Sequence, residues 1–133
     1  MNKQRVLLVD DNEKFLEAAS KIINADNNAE IIGLAQSGEE AVKKTSLEHP
    51  DLVLMDVSMP GMDGLTATRI IKKMATPPKV IILTLHDTIE YVEEAKAAGA
   101  DGFVSKSDFV KNIPDIFSSG FKFMNKLKRT NFT

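Results

Sequence analysis

The chain has 133 residues, 43% hydrophobic and 27% charged, with 17 basic side chains against 19 acidic ones. That is the size and make-up of one water-exposed domain with a sizeable core. No apolar run exceeds four residues, which excludes a transmembrane helix and points to a cytoplasmic protein without a secretory leader. With no cysteine, disulfides, thiolate metal sites and thiol nucleophiles are excluded, and two histidines argue against a multi-histidine zinc site. Residues 121–133 hold Lys122, Lys126, Lys128 and Arg129 and no acid, so the acidic excess lies in the body of the domain. An acidic body with a short basic end is not a nucleic-acid surface.

Short apolar runs alternate with amphipathic stretches from start to finish. Arg5–Val9 predicts a buried strand, and Phe15, Ala18, Ala19, Ile22 and Ile23 follow helical spacing. Glu30–Ala35 is the second strand. Ser37 opens the next helix with Glu40 three residues later, a capping box, and Ala41, Val42 and Thr45 form its inner face. Leu52–Met55 is the third strand. Leu65, Ile70, Ile71 and Met74 outline a helix stopped by Pro77-Pro78. Val80–Leu83 is the fourth strand, and Asp87 caps a helix containing Ile89, Val92 and Ala95. Gly99 and Gly102 bracket a turn into a short fifth strand, Gly102–Ser105. Val110, Ile113, Phe117, Phe121 and Met124 form a last stripe, with Pro114 expected in the first turn of that helix. Strands apolar on both faces make a parallel sheet, and strict β–α alternation makes a three-layer α/β domain.

In such domains ligands bind outside the carboxyl ends of the strands. There the first strand runs into Asp10-Asp11, the third into Asp56, the fourth into Thr84 and the fifth into Lys106. Three carboxylates in one crevice repel each other and call for a cation, and a hard divalent ion such as Mg²⁺ takes oxygen ligands. With the ion bound, Asp56 can stay ionised and attack phosphorus to form an acyl phosphate. Lys106 and the Thr84 hydroxyl suit the oxygens of the transferring phosphoryl group.

Four stretches carry a family resemblance: Val6–Asp11, Asp51–Gly64, Val80–Thr84 and Ala97–Lys106. Together they resemble the receiver domain of two-component response regulators. The wording around Gly38–Ala41, His86-Asp87 and Ala97–Val104 is similar to receivers of LuxR/NarL-type transcriptional regulators. The resemblance implies a doubly wound (βα)5 flavodoxin-like fold, with strand order 2-1-3-4-5. It implies Asp56 as phosphoacceptor. Asp11 and Asp56 become direct Mg²⁺ ligands, Asp10 a ligand through water, and Ser58 a ligand through its backbone carbonyl. Lys106 contacts the phosphoryl group. Thr84 is the switch hydroxyl and Phe103 the aromatic that turns inward with it, reshaping the face of the fourth helix, fifth strand and fifth helix. The chain departs from the family at Ser107, where proline is common, and at Phe103, where tyrosine is frequent. In that family the positions held here by Ser58 and His86 tune phosphate lifetime, and the resemblance implies the same for this chain.

The implied partners are a sensor histidine kinase or a histidine phosphotransfer protein, with homodimerisation on phosphorylation and no nucleic-acid or membrane contact by the domain itself. Self-catalysed phosphotransfer and autodephosphorylation do not make it an enzyme. The receiver is expected over residues 1–127, with 128–133 a basic tail or truncated linker. Two settings fit: the receiver part of a DNA-binding regulator, or a stand-alone receiver or phosphorelay intermediate. Two rivals from other classes are weaker. A flavin-binding protein needs a phosphate loop where this chain has Asp10-Asp11-Asn12-Glu13. An aspartate-nucleophile phosphatase needs Asp-x-Asp where these acids are adjacent.

Overall fold

Alternating side chains along each strand send apolar groups to both faces, so both faces must be covered. The computed structural model describes residues 3–85 and 89–117, without the side chains of 89, 90 and 115. The strands are β1 (Gln4–Val9), β2 (Ala29–Ala35), β3 (Leu52–Asp56), β4 (Lys79–Thr84) and β5 (Gly102–Ser105). They form one sheet of order β2-β1-β3-β4-β5, parallel at every pairing. The helices are α1 (Glu13–Asn24), α2 (Gly38–Glu48), α3 (Gly64–Lys72), α4 (Ile89–Ala98) and α5 (Phe109–Phe117), the last entered through a 3-10 turn at Lys106–Asp108.

Two cores result. Leu7, Val9, Val53, Met55, Val80, Ile82 and Phe103 point to one side, where Ala41 of α2, Leu65 and Ile71 of α3 and Val92 of α4 cover them. Val6, Leu8, Leu54, Ile81, Leu83 and Val104 point to the other, against Leu16 and Ile23 of α1 and Phe109, Ile113 and Phe117 of α5. This is the three-layer, doubly wound, flavodoxin-like fold expected from the sequence.

Several local expectations change. Pro114 lies inside α5, not in its first turn, because the helix starts at Phe109, directly after the 3-10 turn. The inner stripe of α5 is Phe109, Ile113, Ile116 and Phe117, whereas Val110 is 59% exposed. Phe121 and Met124 lie outside the described residues, as do the Asp87 cap and the basic tail. Ile22 and Ile70 are turned outward, since Leu16, Ala19 and Ile23 of α1, and Leu65, Ala67 and Ile71 of α3, hold the buried lines. Helix α3 ends at Lys72, several residues before Pro77. Ser37 caps α2 by accepting from the Glu40 N–H at 3.1 Å, but the Glu40 carboxylate reaches the Gln36 N–H at 2.8 Å instead of the Ser37 N–H. That bond holds the Glu40 carboxyl below the usual carboxylate range. No peptide bond is cis among the described residues, so the Lys106–Ser107 link is trans.

Candidate functional site

Strand register assembles the site. Val9 pairs with Met55, so the next residues, Asp10 and Asp56, emerge side by side. Asp56 pairs with Leu83, so Thr84 stands one step further along β4. Thr84 pairs with Ser105, and Lys106 follows immediately. Asp10, Asp56, Thr84 and Lys106, 22 to 96 positions apart in sequence, meet because parallel strands bring all their carboxyl ends to one edge.

Asp10 is fully buried. Its N–H donates to the Ala35 carbonyl at 3.0 Å, and its Oδ1 accepts from the Asn12 N–H at 2.8 Å. Asn12 in turn caps α1 by accepting from the Phe15 N–H at 3.1 Å. The cap leaves the neighbouring Asp11 carboxylate exposed at the crevice rim. Asp56 is only 5% exposed and Thr84 1%.

The half-buried Lys106 closes the group. Its Nζ lies 2.5 Å from Asp10 Oδ2 and 3.2 Å from Asp56 Oδ1. The Asp10 contact is ionic: Asp10 Oδ2 is buried and lacks a well-angled hydrogen bond. Burial and the neighbouring Asp10 charge push the Asp56 carboxyl up from 3.8 to about 6, against the pull of Lys106. Burial disfavours the Lys106 ammonium, but its pairs with Asp10 and Asp56 outweigh that and hold it above its ordinary value.

Oxygens of Asp10, Asp11 and Asp56 lie within 4.8 Å of one another. Among the described residues, three carboxylates and one ammonium leave two formal negative charges in the crevice, and one buried carboxylate oxygen there is incompletely satisfied. The donor set is all oxygen. These residues fit a hard divalent cation.

The other expected residues divide. Ser58 is exposed, two residues beyond Asp56 in the loop leading to α3. Phe103 is 1% exposed, inside the core shared with α4. His86 lies outside the described residues.

Two residues were not singled out from sequence. Gly64 packs against the acceptor's backbone: a Cβ there would lie 1.9 Å from the Asp56 carbonyl oxygen. Phe15, read only as part of an apolar stripe, sets its ring 4.6 Å from Lys106 Nζ. Its place one turn into the helix that follows Asp11 is the signal that could have found it, since helical side chains lean back toward the N-terminus.

An acidic crevice with one lysine, at the strand ends of a flavodoxin-like domain, defines a class of signalling α/β domain. The family model for the response regulator receiver domain matches residues 6–118. The chain belongs to that family: it is a receiver domain of two-component response regulators. It is 41% identical over 117 residues to response regulator UvrY of Escherichia coli, covering 85% of this chain and 54% of that protein. It is 40% identical over 117 residues to a protein-glutamate methylesterase/protein-glutamine glutaminase of Aliivibrio fischeri, covering 86% of this chain and 31% of that one. Among solved structures it is similar to a LuxR-family two-component response regulator from Aurantimonas, with TM-score 0.82 and 29% identity over 92% of this chain and 90% of that one. The chain spans between 31% and 54% of the length of these curated relatives. Among the described residues no helix is long and apolar enough to cross a membrane.

Proposed function

We propose that Asp56 accepts a phosphoryl group from a phosphohistidine, and that Thr84 and Phe103 convert the modification into a change of the α4–β5–α5 face. The observation that carries this reading is the bridge of Lys106 between Asp10 and Asp56 at the strand edge. A carboxylate oxygen of Asp56 attacks phosphorus. The phosphorus–nitrogen bond breaks, its electron pair leaves with the imidazole, and an acyl phosphate forms on Asp56. Asp10, Asp11, Asp56 and the Ser58 backbone carbonyl are the groups that would hold Mg²⁺, with Asp10 acting through a water. When bound, the ion supplies positive charge to the oxygens of the transferring group. Lys106 shifts from Asp56 to those oxygens, and the Thr84 hydroxyl donates to them from β4. The side chain of Phe103, already in the α4-side core, takes up the space that Thr84 vacates.

The donor is a sensor histidine kinase or a histidine phosphotransfer protein. The domain modifies only itself and turns over no substrate, and it works in the cytoplasm. The relatives support a receiver that serves a larger regulator: UvrY is a response regulator roughly twice as long as the matched segment. DegU of Brevibacillus brevis, a transcriptional regulatory protein matched over 105 residues, supports transcription control as the setting, and we propose a DNA-binding output with homodimerisation through the α4–β5–α5 face.

Intact-mass measurement after incubation with acetyl phosphate tests the reading. The expected result is one added phosphoryl group that requires Mg²⁺ and is lost in Asp56→Asn. An adduct that persists in Asp56→Asn would move the acceptor elsewhere.

A further inference from the structure

We propose that Phe15 is a positioning residue for phosphoryl acceptance: its ring is a third, uncharged partner of the Lys106 ammonium and keeps it at the crevice when the carboxylates turn to other ligands. The inference rests on the receiver reading above and deepens it.

Among the described residues, Lys106 has three partners of two kinds. Asp10 and Asp56 hold the ammonium by charge, at 2.5 and 3.2 Å. The face of Phe15 holds it by the ring quadrupole, at 4.6 Å from the centroid. The side chain of Lys106 is only 15% exposed, so the ammonium has little water to fall back on. A divalent cation competes for both carboxylates, for Asp56 by direct coordination and for Asp10 through a water, because a carboxylate engaged with a metal's charge is a poorer acceptor for an ammonium. A ring has no lone pair to give the metal or the phosphoryl group, so its hold on Lys106 survives both events.

The ring is itself fixed. At one end, the Phe15 N–H donates to the Asn12 cap at 3.1 Å. At the other, the ring packs on Phe109, with centroids 6.2 Å apart and planes tilted by 44°. Phe109 is 2% exposed and is the first residue of α5. The platform under Lys106 is thus built from the start of α1 and the start of α5. An aliphatic residue at position 15 would supply the bulk but not the negative ring face.

Phe15→Leu and Phe15→Tyr separate the two contributions, since both keep apolar bulk against Phe109 and only tyrosine keeps the face. In labelled protein without Mg²⁺, the Lys106 CεH₂ protons should show an upfield ring-current shift. That shift should vanish in Phe15→Leu and remain in Phe15→Tyr. With Mg²⁺, beryllofluoride should bind Phe15→Leu about fivefold more weakly, the scale of one ammonium–ring contact, and Phe15→Tyr within about twofold of the parent. No upfield shift in the parent would overturn the proposal, as would equal beryllofluoride affinity in the Leu variant or equal losses in both variants. A parent that shows the shift but binds no beryllofluoride would overturn the receiver reading itself, and the positioning role with it.

Discussion

Lys106 sits closer to Asp10 than to Asp56, at 2.5 Å against 3.2 Å. The lysine thus neutralises the most deeply buried acid and leaves the acceptor under-compensated. The Asp56 carboxyl is pushed up to about 6 because burial and Asp10 together exceed the pull of Lys106. The crevice is charged enough to need a cation, and its acceptor ionises most readily once that cation is present.

Removing the lysine should therefore move two properties in opposite directions. Lys106→Ala deletes the positive charge that competes with a metal, so Mg²⁺ should bind more tightly by titration calorimetry. The same change removes a donor to the transferring oxygens, so the rate of phosphoryl uptake from acetyl phosphate should fall about a hundredfold. Weaker Mg²⁺ binding in the variant would mean that the lysine holds the carboxylates in place more than it competes for them.

The raised Asp56 carboxyl predicts a pH-dependent cost. Its folded value of about 6 exceeds the ordinary 3.8, so between those values the folded state holds a proton that the unfolded state has lost. Stability contributed by the protonated acid is complete below pH about 4 and is lost as pH rises through about 6. Comparing the metal-free parent with Asp56→Asn by urea unfolding should isolate a difference of about 1–2 kcal/mol, after allowance for solvent screening. The Asn variant should be the more stable at pH 7. Saturating Mg²⁺ should shrink the gap by stabilising the ionised parent. A pH-independent gap would place the strain elsewhere than in Asp56 ionisation.

Gly64 should be intolerant for a reason of space. A Cβ 1.9 Å from the Asp56 carbonyl oxygen meets backbone, which cannot swing aside. Gly64→Ala should cost about 2–3 kcal/mol, read as a fall of about 10 °C in thermal midpoint. Beryllofluoride binding should weaken with it, because the displaced atom belongs to the acceptor residue. An unchanged midpoint would show that the loop from Val57 to Asp63 yields easily.

Pro114 offers the converse test. It is exposed and inside α5, where it lacks the N–H that would bond the carbonyl one turn back at Val110. Pro114→Ala should stabilise the domain by about 1–2 kcal/mol in chemical unfolding, with no loss of buried surface to offset it. Destabilisation would show that the proline's fixed backbone angle favours the helix more than the missing bond weakens it.

Much of the site was readable because polar residues interrupt buried strands. Asp10, Asp56 and Thr84 each end an apolar run, and an acid or hydroxyl there must face a crevice or find a partner. The helix ends were less readable. The Ser105 hydroxyl accepts from the Ser107 N–H at 3.3 Å and helps form the short turn that moves the start of α5 to Phe109, away from the expected stripe. Likewise Phe15 and Phe109 each looked like an ordinary core residue, since hydrophobic periodicity records that a side chain is buried but not which charge it lies against.

The alternation of apolar runs and amphipathic stretches determined by itself that the chain would fold as a parallel three-layer α/β domain, with its carboxylates, hydroxyl and lysine at one edge. Local pattern suffices for that, because parallel strands joined by helices leave few ways to bury both sheet faces. Only the tertiary structure decided that Lys106 pairs more closely with Asp10 than with Asp56, that Phe15 lies beneath it, and that Gly64 touches the acceptor's backbone. Those are relations of a few ångströms, between residues far apart in the chain for Lys106 and across the loop after β3 for Gly64. They are set by strand register and helix packing, which no local stretch of sequence contains.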